Sequence, residues 1–575
     1  MKKKYLPLLI GITLAVNISV TPLNFAFANE YDQTAINGDL NALSLPDHIS
    51  LTWSANPANT MTVTWRTNKE VKNCAIEYQE VHGKTSTVIV EPRALKSAAT
   101  DKIQGEANLY SVTLHDLKPG TKYLYRIRND NNQWTDYSSF TTESSETLKN
   151  NKFKFIVFGD SQSGNAEVPN YTPFHLTLTN AFQANPDASF FINMGDLVEK
   201  GQDYQHWNNW FSATKGVIDK IPDMVVQGNH ETYNAEDWNS TKPEYFVQQF
   251  NVFQNGPEGL KGQTYSYNYG KVHFVVLDSQ YEEESEDAEG HIDQNKERDM
   301  LKMQAQWLKA DLDANRDAVF TLAFFHKTPY YNKGIRSNVL LKEAFTPVFD
   351  EYHVDMVFNG HDHATSRTFP IYHDTFVQSP TQGTVYYVTG RSGAKYYADL
   401  TQKVWDAKFF DPQDMPDYQT VELNGQKFTV KAFKQDGTLV DTYVIDKEHP
   451  ENDTSNSENL PARYNTKQEI PAIGDSVKLI LFGNMSNGRT SKATLVDGKA
   501  YADIQTVASY AGGSYDADSK VLTVPLSLQK TFQLTDDMLT DKGTKVSIDA
   551  LNNMGWSNHY DDKYNMVFID IYLVD

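Results

Sequence analysis

Between residues 46 and 145, apolar and polar positions alternate in short runs: Ile49 to Trp53, Met61 to Trp65, Ala75 to Gln79, Thr87 to Val90, Leu109 to Leu114 and Tyr123 to Arg128. A period of two, broken by Asn-Pro, Pro-Gly and Asn-Asp turns, predicts an antiparallel β-sandwich. After Asn150 the pattern changes. Apolar runs at Phe153 to Phe158, Ser189 to Met194, Met224 to Gln227, Val272 to Leu277, Val319 to Phe325, Val354 to Phe358 and Val385 to Thr389 are separated by helical segments. Near-continuous apolar strands of this kind are covered on both faces, which predicts a mixed α/β core. Within it, Met300, Met303, Trp307 and Leu308 fall at helical spacing and form a packing stripe. From 448 to 474 the chain is polar and rich in Asn, Ser, Glu and Pro, which predicts a linker, and 475–575 reads as a separate small α+β domain. The chain is thus expected to be multidomain.

The first 28 residues do not belong to this pattern. Lys2, Lys3 and Lys4, an apolar stretch from Tyr5 to Val20 and the small-x-small site Ala26-Phe27-Ala28 predict a secretory signal peptide cleaved before Asn29. Asn17 and Pro22 interrupt an apolar run already short for a bilayer span, and no later segment is apolar enough to cross a membrane. The expected location is secreted or cell-surface. A formal net charge of −22 with no basic stripe repels nucleic acid and anionic lipid, so nucleic-acid binding is excluded as a main role. The single Cys74 permits no intrachain disulfide and reads as a small buried hydrophobe. A disulfide-free exported chain with a short, lysine-led leader suggests a Gram-positive bacterium. The acidic run from Glu282 to Glu289 reads as a solvated loop.

The chemistry lies where the apolar runs end. Phe153 to Phe158 ends in Gly159-Asp160-Ser161-Gln162, and Ser189 to Met194 in Gly195-Asp196-Leu197-Val198-Glu199. Met224 to Gln227 ends in Gly228-Asn229-His230-Glu231, Val319 to Phe325 in His326, and Val354 to Asn359 in Gly360-His361-Asp362-His363. In an open α/β sheet the C-terminal strand ends share one edge, where ligands bind. Five successive strand ends therefore deliver metal-type ligands to one rim, and four glycines let the backbone approach closely.

This set of motifs resembles the calcineurin-like metallophosphoesterase superfamily and, with the preceding sandwich, is most similar to its purple acid phosphatase branch. The resemblance runs from Pro46 to Ile445 and implies a four-layer α/β/β/α catalytic domain at 150–447. It further implies that Asp160, Asp196 and His363 hold one metal ion while Asp196, Asn229, His326 and His361 hold a second. Asp196 would bridge them, since a carboxylate can span two ions roughly 3.5 to 4 Å apart. Imidazole and oxygen ligands suit two divalent or mixed-valence ions of zinc, manganese or iron. Two positions depart from the pattern. The tyrosinate of purple enzymes is Glu199 here, so no tyrosinate–Fe(III) chromophore is expected, and a histidine found in other branches is Gln162, whose amide oxygen is a further candidate ligand.

The implied function is a secreted dinuclear-metal phosphoesterase in which metal-bound hydroxide attacks phosphorus in line. His230 would act as general acid beside Asn229 and Asp196. Arg336 and Arg391 are candidate phosphate-binding residues because guanidinium groups bind phosphate oxygens bidentately. Asp362 is expected behind the ligands. The substrate is a phosphate ester. Alternatives are an extracellular nucleotidase or nucleotide pyrophosphatase, and a non-enzymatic surface interaction protein with a structural metal site. The stretch from Leu117 to Tyr123 resembles the fibronectin type III turn. The stretch from Asp497 to Gly513 resembles the small copper amine oxidase N-terminal-like repeat. With one histidine, His559, and no cysteine, 475–575 is not expected to bind copper and reads as a structural, cell-wall-associated or partner-binding appendage.

Overall fold

The computed structural model describes residues 39–575 apart from 237, 281–293, 334–337, 399, 462–463, 465, 467–475, 483–488, 497–498, 511–512, 525–529, 554–556, 562–565 and 571–575. The predicted signal peptide, the acidic run and Arg336 therefore lie outside the described residues. No helix among those described is long and apolar enough to cross a membrane.

Residues 47–141 form two antiparallel four-stranded sheets. One orders Asp47–Thr52, Met61–Asn68, Glu106–Leu114 and Arg93–Lys96; the other orders Ser86–Val90, Cys74–Glu80, Lys122–Arg128 and Ser138–Thr141. Alternation places Met61, Val63 and Trp65 of the first sheet and Ile76, Tyr125 and Ile127 of the second in the core, where Cys74 is also buried. Arg93–Lys96 and Ser138–Thr141 were not expected: they are four-residue edge strands, too short to show a period. Tyr123 closes the turn before its strand by accepting a hydrogen bond from the Lys118 amide at 2.9 Å.

Residues 152–446 hold two facing sheets. In the first, Asp223–Val225, Phe190–Asn193 and Lys152–Phe158 run parallel and continue into the antiparallel strands Asp417–Asn424, Lys427–Lys434 and Leu439–Asp446. These last three strands carry no continuous apolar run, and the sequence does not predict them. The second sheet orders Tyr265–Tyr269, Val272–Val276, Phe320–Phe324, Met356–Asn359, Val385–Thr389, Thr365–Thr368 and Asp406–Phe410.

The period-two rule explains the layering. Phe155 points inward, where its ring lies 5.5 Å from Phe274 of the facing sheet, while Phe158 points outward to Phe174 of the helix Thr172–Ala184 at 5.9 Å. On the other side, Phe324 stacks inward on Phe274 and Phe325 meets Phe345 of the helix Val339–Tyr352. Each central strand is therefore buried on both faces, which is why its sequence is continuously apolar.

The polar segment expected as a linker is docked where it is described. Glu458 pairs with the buried Arg367 at 2.6 Å, and the Asp453 carboxylate accepts from the Asp446 amide at 2.7 Å. Its polar residues serve short turns and a buried ion pair rather than slack chain. The C-terminal region contains a seven-stranded sheet, a three-stranded sheet and the helices Ile504–Tyr510 and Ile548–Asn553.

Candidate metal centre

The strand ends converge. Asp160 follows Lys152–Phe158, Asp196 follows Phe190–Asn193, and His361 and His363 follow Met356–Asn359; all are buried. Two groups have ligand atoms within 4.8 Å of one another, Asp196 with His326 and His361, and Asp160 with Asp196 and His363. Asp196 belongs to both. His326 Nε2 lies 3.1 Å from Asp196 Oδ2 and 3.8 Å from Asp160 Oδ1, and His363 Nε2 lies 3.2 Å from Asp160 Oδ1.

Close approach is built into the turns. A side chain at Gly228 would collide with the amide and carboxylate of Asp196, and one at Gly360 would stand 2.8 Å from Asp160 Oδ2. Asp196, His361 and His363 adopt left-handed backbone with φ of 53°, 71° and 58°. Such conformations are costly for residues with a Cβ and persist where surrounding structure holds them, commonly at functional sites.

The imidazoles are oriented from behind. A carbonyl can only accept, so His326 Nδ1 donates to Met194 O at 2.6 Å and His363 Nδ1 donates to Lys395 O at 3.0 Å. In each ring Nε2 is left to face the carboxylates. Burial alone would raise the Asp196 carboxyl, but His326 and His230 beside it hold it below the usual carboxylate range. Burial would lower His326, yet Asp196 and Asp160 push it up to about 9.

Asn229 and Gln162 fit the same pattern. Asn229 donates through Nδ2 to the Tyr233 hydroxyl at 2.8 Å, and Gln162 donates through Nε2 to Asp196 Oδ2 at 3.1 Å. Their amide oxygens are buried with no hydrogen-bond partner. Orphaned buried oxygens are expensive. Two of them, beside paired carboxylates and imidazoles, are the donor set that hard and borderline divalent ions require.

His230 donates through Nδ1 to Glu199 O at 2.6 Å, so its Nε2 faces Lys395 Nζ at 2.8 Å and Asp196 Oδ2 at 3.8 Å. Burial, followed by the Lys395 charge, lowers its pKa. Glu199 is not among the metal-type groups. Its carboxylate accepts from the Gly164 amide at 2.8 Å and faces Lys395 Nζ at 3.2 Å, making it the counter-ion of that lysine. Asp362 lies behind the ligands as expected, accepting from the amides of Asn332 and Lys333.

Arg391 departs from expectation. Its guanidinium donates to the carbonyls of Pro412 at 2.9 Å, Gly393 at 2.7 Å and Gln413 at 3.2 Å, and the residue is only 4% exposed. A buried guanidinium needs acceptors for its five N–H groups, and the surrounding loop carbonyls provide them. Arg391 therefore clamps the loops at Gly393 and at Pro412 and Gln413, its guanidinium spent on their carbonyls. Lys395 brings a cation to the site from an irregular loop beyond a strand, where no sequence period marks it. Glu231, of the motif Gly228-Asn229-His230-Glu231, holds backbone rather than metal-type groups. Its carboxylate accepts from the amides of Asp196 (2.8 Å), Leu197 (2.8 Å), Val198 (3.3 Å) and Gly228 (2.7 Å).

Comparison with known proteins follows the same division of the chain. Residues 46–142 match the purple acid phosphatase N-terminal domain, and residues 153–365 match the calcineurin-like phosphoesterase family. The chain is 24% identical over 306 residues to "Probable inactive purple acid phosphatase 24" of Arabidopsis thaliana; the match covers 49% of this chain and 48% of that protein, so the chain spans about half the length of this relative. It is 22% identical over 331 residues to a "Nucleotide pyrophosphatase/phosphodiesterase" of Hordeum vulgare, covering 52% of this chain and 85% of that protein. Among solved structures, purple acid phosphatase from yellow lupin (Lupinus luteus) seeds superposes with a TM-score of 0.56 at 18% identity, over 70% of this chain and 74% of that one. The chain thus carries a region matching the purple acid phosphatase N-terminal domain ahead of one matching the calcineurin-like phosphoesterase family, and in the second Asp196 is shared between two groups of side chains that could hold metal ions.

Proposed function

We propose that this chain hydrolyses phosphate esters at a centre of two metal ions. The observation that carries the reading is Asp196 shared between two groups of buried ligand atoms, each spanning no more than 4.8 Å. Asp160, Asp196 and His363 would hold one ion and Asp196, Asn229, His326 and His361 the other, with the Gln162 amide oxygen adjoining. Ions bound there would offset phosphate charge and activate a water for attack.

The chain's own groups supply the rest. Water adds to phosphorus, the bond to the ester oxygen breaks on the opposite side, and the departing alkoxide takes a proton. That proton is held by the hydrogen-bonded pair of His230 Nε2 and Lys395 Nζ, with Glu199 balancing the lysine. The Lys395 ammonium also attracts the phosphate anion in a protein that is otherwise strongly acidic. Burial of these groups strengthens each of these interactions.

The first relative's name calls it inactive. In this chain, the proton-bearing pair of His230 and Lys395 favours chemistry over a purely structural site, which needs no proton donor. The test is turnover of p-nitrophenyl phosphate after reloading the purified protein with zinc, manganese or iron. Activity with at least one metal supports the reading, and none with any metal rejects it. We also take the chain to be exported, on the strength of its lysine-led leader and small-x-small site. Mass spectrometry of protein from culture medium would show a mature terminus at Asn29, and retention of the leader in the cell would contradict it.

A further inference from the structure

An aromatic surface beside the proposed proton donor has no part in the mechanism above. Trp238 is 52% exposed, yet it is held in place. Its ring stands edge-on to His230 at 5.9 Å and to Tyr233 at 5.4 Å, and Lys200 Nζ lies 4.9 Å from its ring centre. Lys200 also donates to Ala235 O at 2.9 Å.

The loop bearing Trp238 is closed on itself. The Thr241 amide donates to Thr232 O at 2.8 Å, the Asn234 amide donates to Asn239 O at 3.2 Å, and Tyr233 pairs with Ser240. Tyr233 is fixed in turn by the Asn229 side chain. A large indole kept half in water forgoes much of its burial energy. Holding it there with a cation, two aromatic edges and a closed loop is the arrangement of a preformed binding face rather than of a loose surface residue.

Its place next to His230 sets what it would meet. On the proposed mechanism the ester oxygen departs at His230 Nε2, and the Trp238 ring centre, 5.9 Å from that of His230, is within reach of a leaving group extending from that atom. We infer that Trp238, braced by Tyr233, is a specificity-determining residue that stacks a planar aromatic ring of the leaving group, so that esters carrying an aryl or nucleobase ring are the favoured substrate class. This rests on the phosphoesterase reading and adds a ring-recognition face to it.

The test compares adenosine 5′-monophosphate with ribose 5-phosphate, which release the same kind of primary alkoxide and differ in the base. The wild-type protein should show a kcat/KM for the nucleotide roughly tenfold above that for the sugar phosphate, in line with base–aromatic stacking. Trp238→Ala should bring this ratio close to one, and Trp238→Phe should retain part of it. A wild-type ratio near one, or an unchanged ratio in Trp238→Ala, overturns the inference. Quenching of tryptophan fluorescence by adenosine 5′-monophosphate provides a binding readout that does not need turnover: it should diminish in Trp238→Phe, and equal quenching in both proteins also overturns the inference. Turnover of p-nitrophenyl phosphate measured alongside separates this from failure of the hydrolase reading, which would abolish all three activities and leave the quenching difference intact.

Discussion

The carboxylate of Glu231 holds the turn that carries Asp196: its Oε2 accepts the Asp196 amide at 2.8 Å and the Gly228 amide at 2.7 Å, while its Oε1 accepts the Leu197 amide at 2.8 Å. With Val198 at 3.3 Å, four residues present their N–H groups to one buried acid. Asp196 adopts left-handed backbone just there, so the carboxylate supports a conformation the turn would otherwise resist.

Glu231→Gln should therefore weaken the metal centre without touching a ligand. An amide has one acceptor oxygen, and its NH2 would face backbone N–H groups. Metal affinity and turnover should fall by about 10- to 100-fold, the range for residues that orient ligands. Titration of the apo protein with zinc checks this, and wild-type affinity in the variant would show that the clamp does not position Asp196.

Lys395→Met should raise KM and lower kcat for p-nitrophenyl phosphate, with a combined loss of about 10²-fold, the order expected for losing one donor to a developing anion. Lys395→Arg should recover part of it, because a cation beside Glu199 and His230 is restored. Metal content measured on the same samples distinguishes loss of the cation from collapse of the site. Equal KM in wild type and Lys395→Met would remove the lysine from phosphate binding.

Stability should depend on pH through two acids where the N-terminal sheets meet the α/β region. Burial pushes the Glu143 carboxyl, which accepts the Gly270 amide, up to about 7. Burial likewise pushes Asp101, hydrogen-bonded to Tyr245 and the Tyr204 amide and close to Asp203, up to about 6. A raised folded-state pKa means the folded chain holds the proton longer than the unfolded chain. The stability these groups contribute is present below their unfolded values and is lost as pH rises through about 6 to 7. Glu143→Gln keeps the acceptor oxygen and removes the titration, so its Tm should fall less than that of the wild type between pH 5 and pH 8. Parallel Tm curves would refute this.

The convergence of Asp160, Asp196, His326, His361 and His363 was legible because these residues lie at the ends of apolar strands, and sheet geometry brings strand ends to one edge. Backbone partners were not legible. Nothing in the motif around Arg391 says whether its guanidinium will find phosphate or carbonyl oxygens; that depends on the Pro412 and Gln413 loop lying within reach. Lys395 gave no signal because an irregular loop has no period. Among strands, Arg93–Lys96 was too short to read, and Leu439–Asp446 is half exposed, so its alternation is diluted by polar residues. The docked stretch around Glu458 shows how a buried arginine, here Arg367, draws a polar segment into the fold.

With Glu199 at the tyrosinate position and both its carboxylate oxygens already engaged by Gly164 and Lys395, an iron-loaded protein should lack the purple charge-transfer band. A visible absorption spectrum after iron loading checks this; a purple protein would mean that another phenolate reaches the metal.

Metal content per chain decides whether Asp196 joins two ions into one centre. The wild-type protein should bind two ions per chain, His363→Ala and His326→Ala should each weaken one of them, and Asp196→Asn should disrupt both together with phosphate-ester turnover. An Asp196→Asn variant that retains two ions and full turnover would contradict the account.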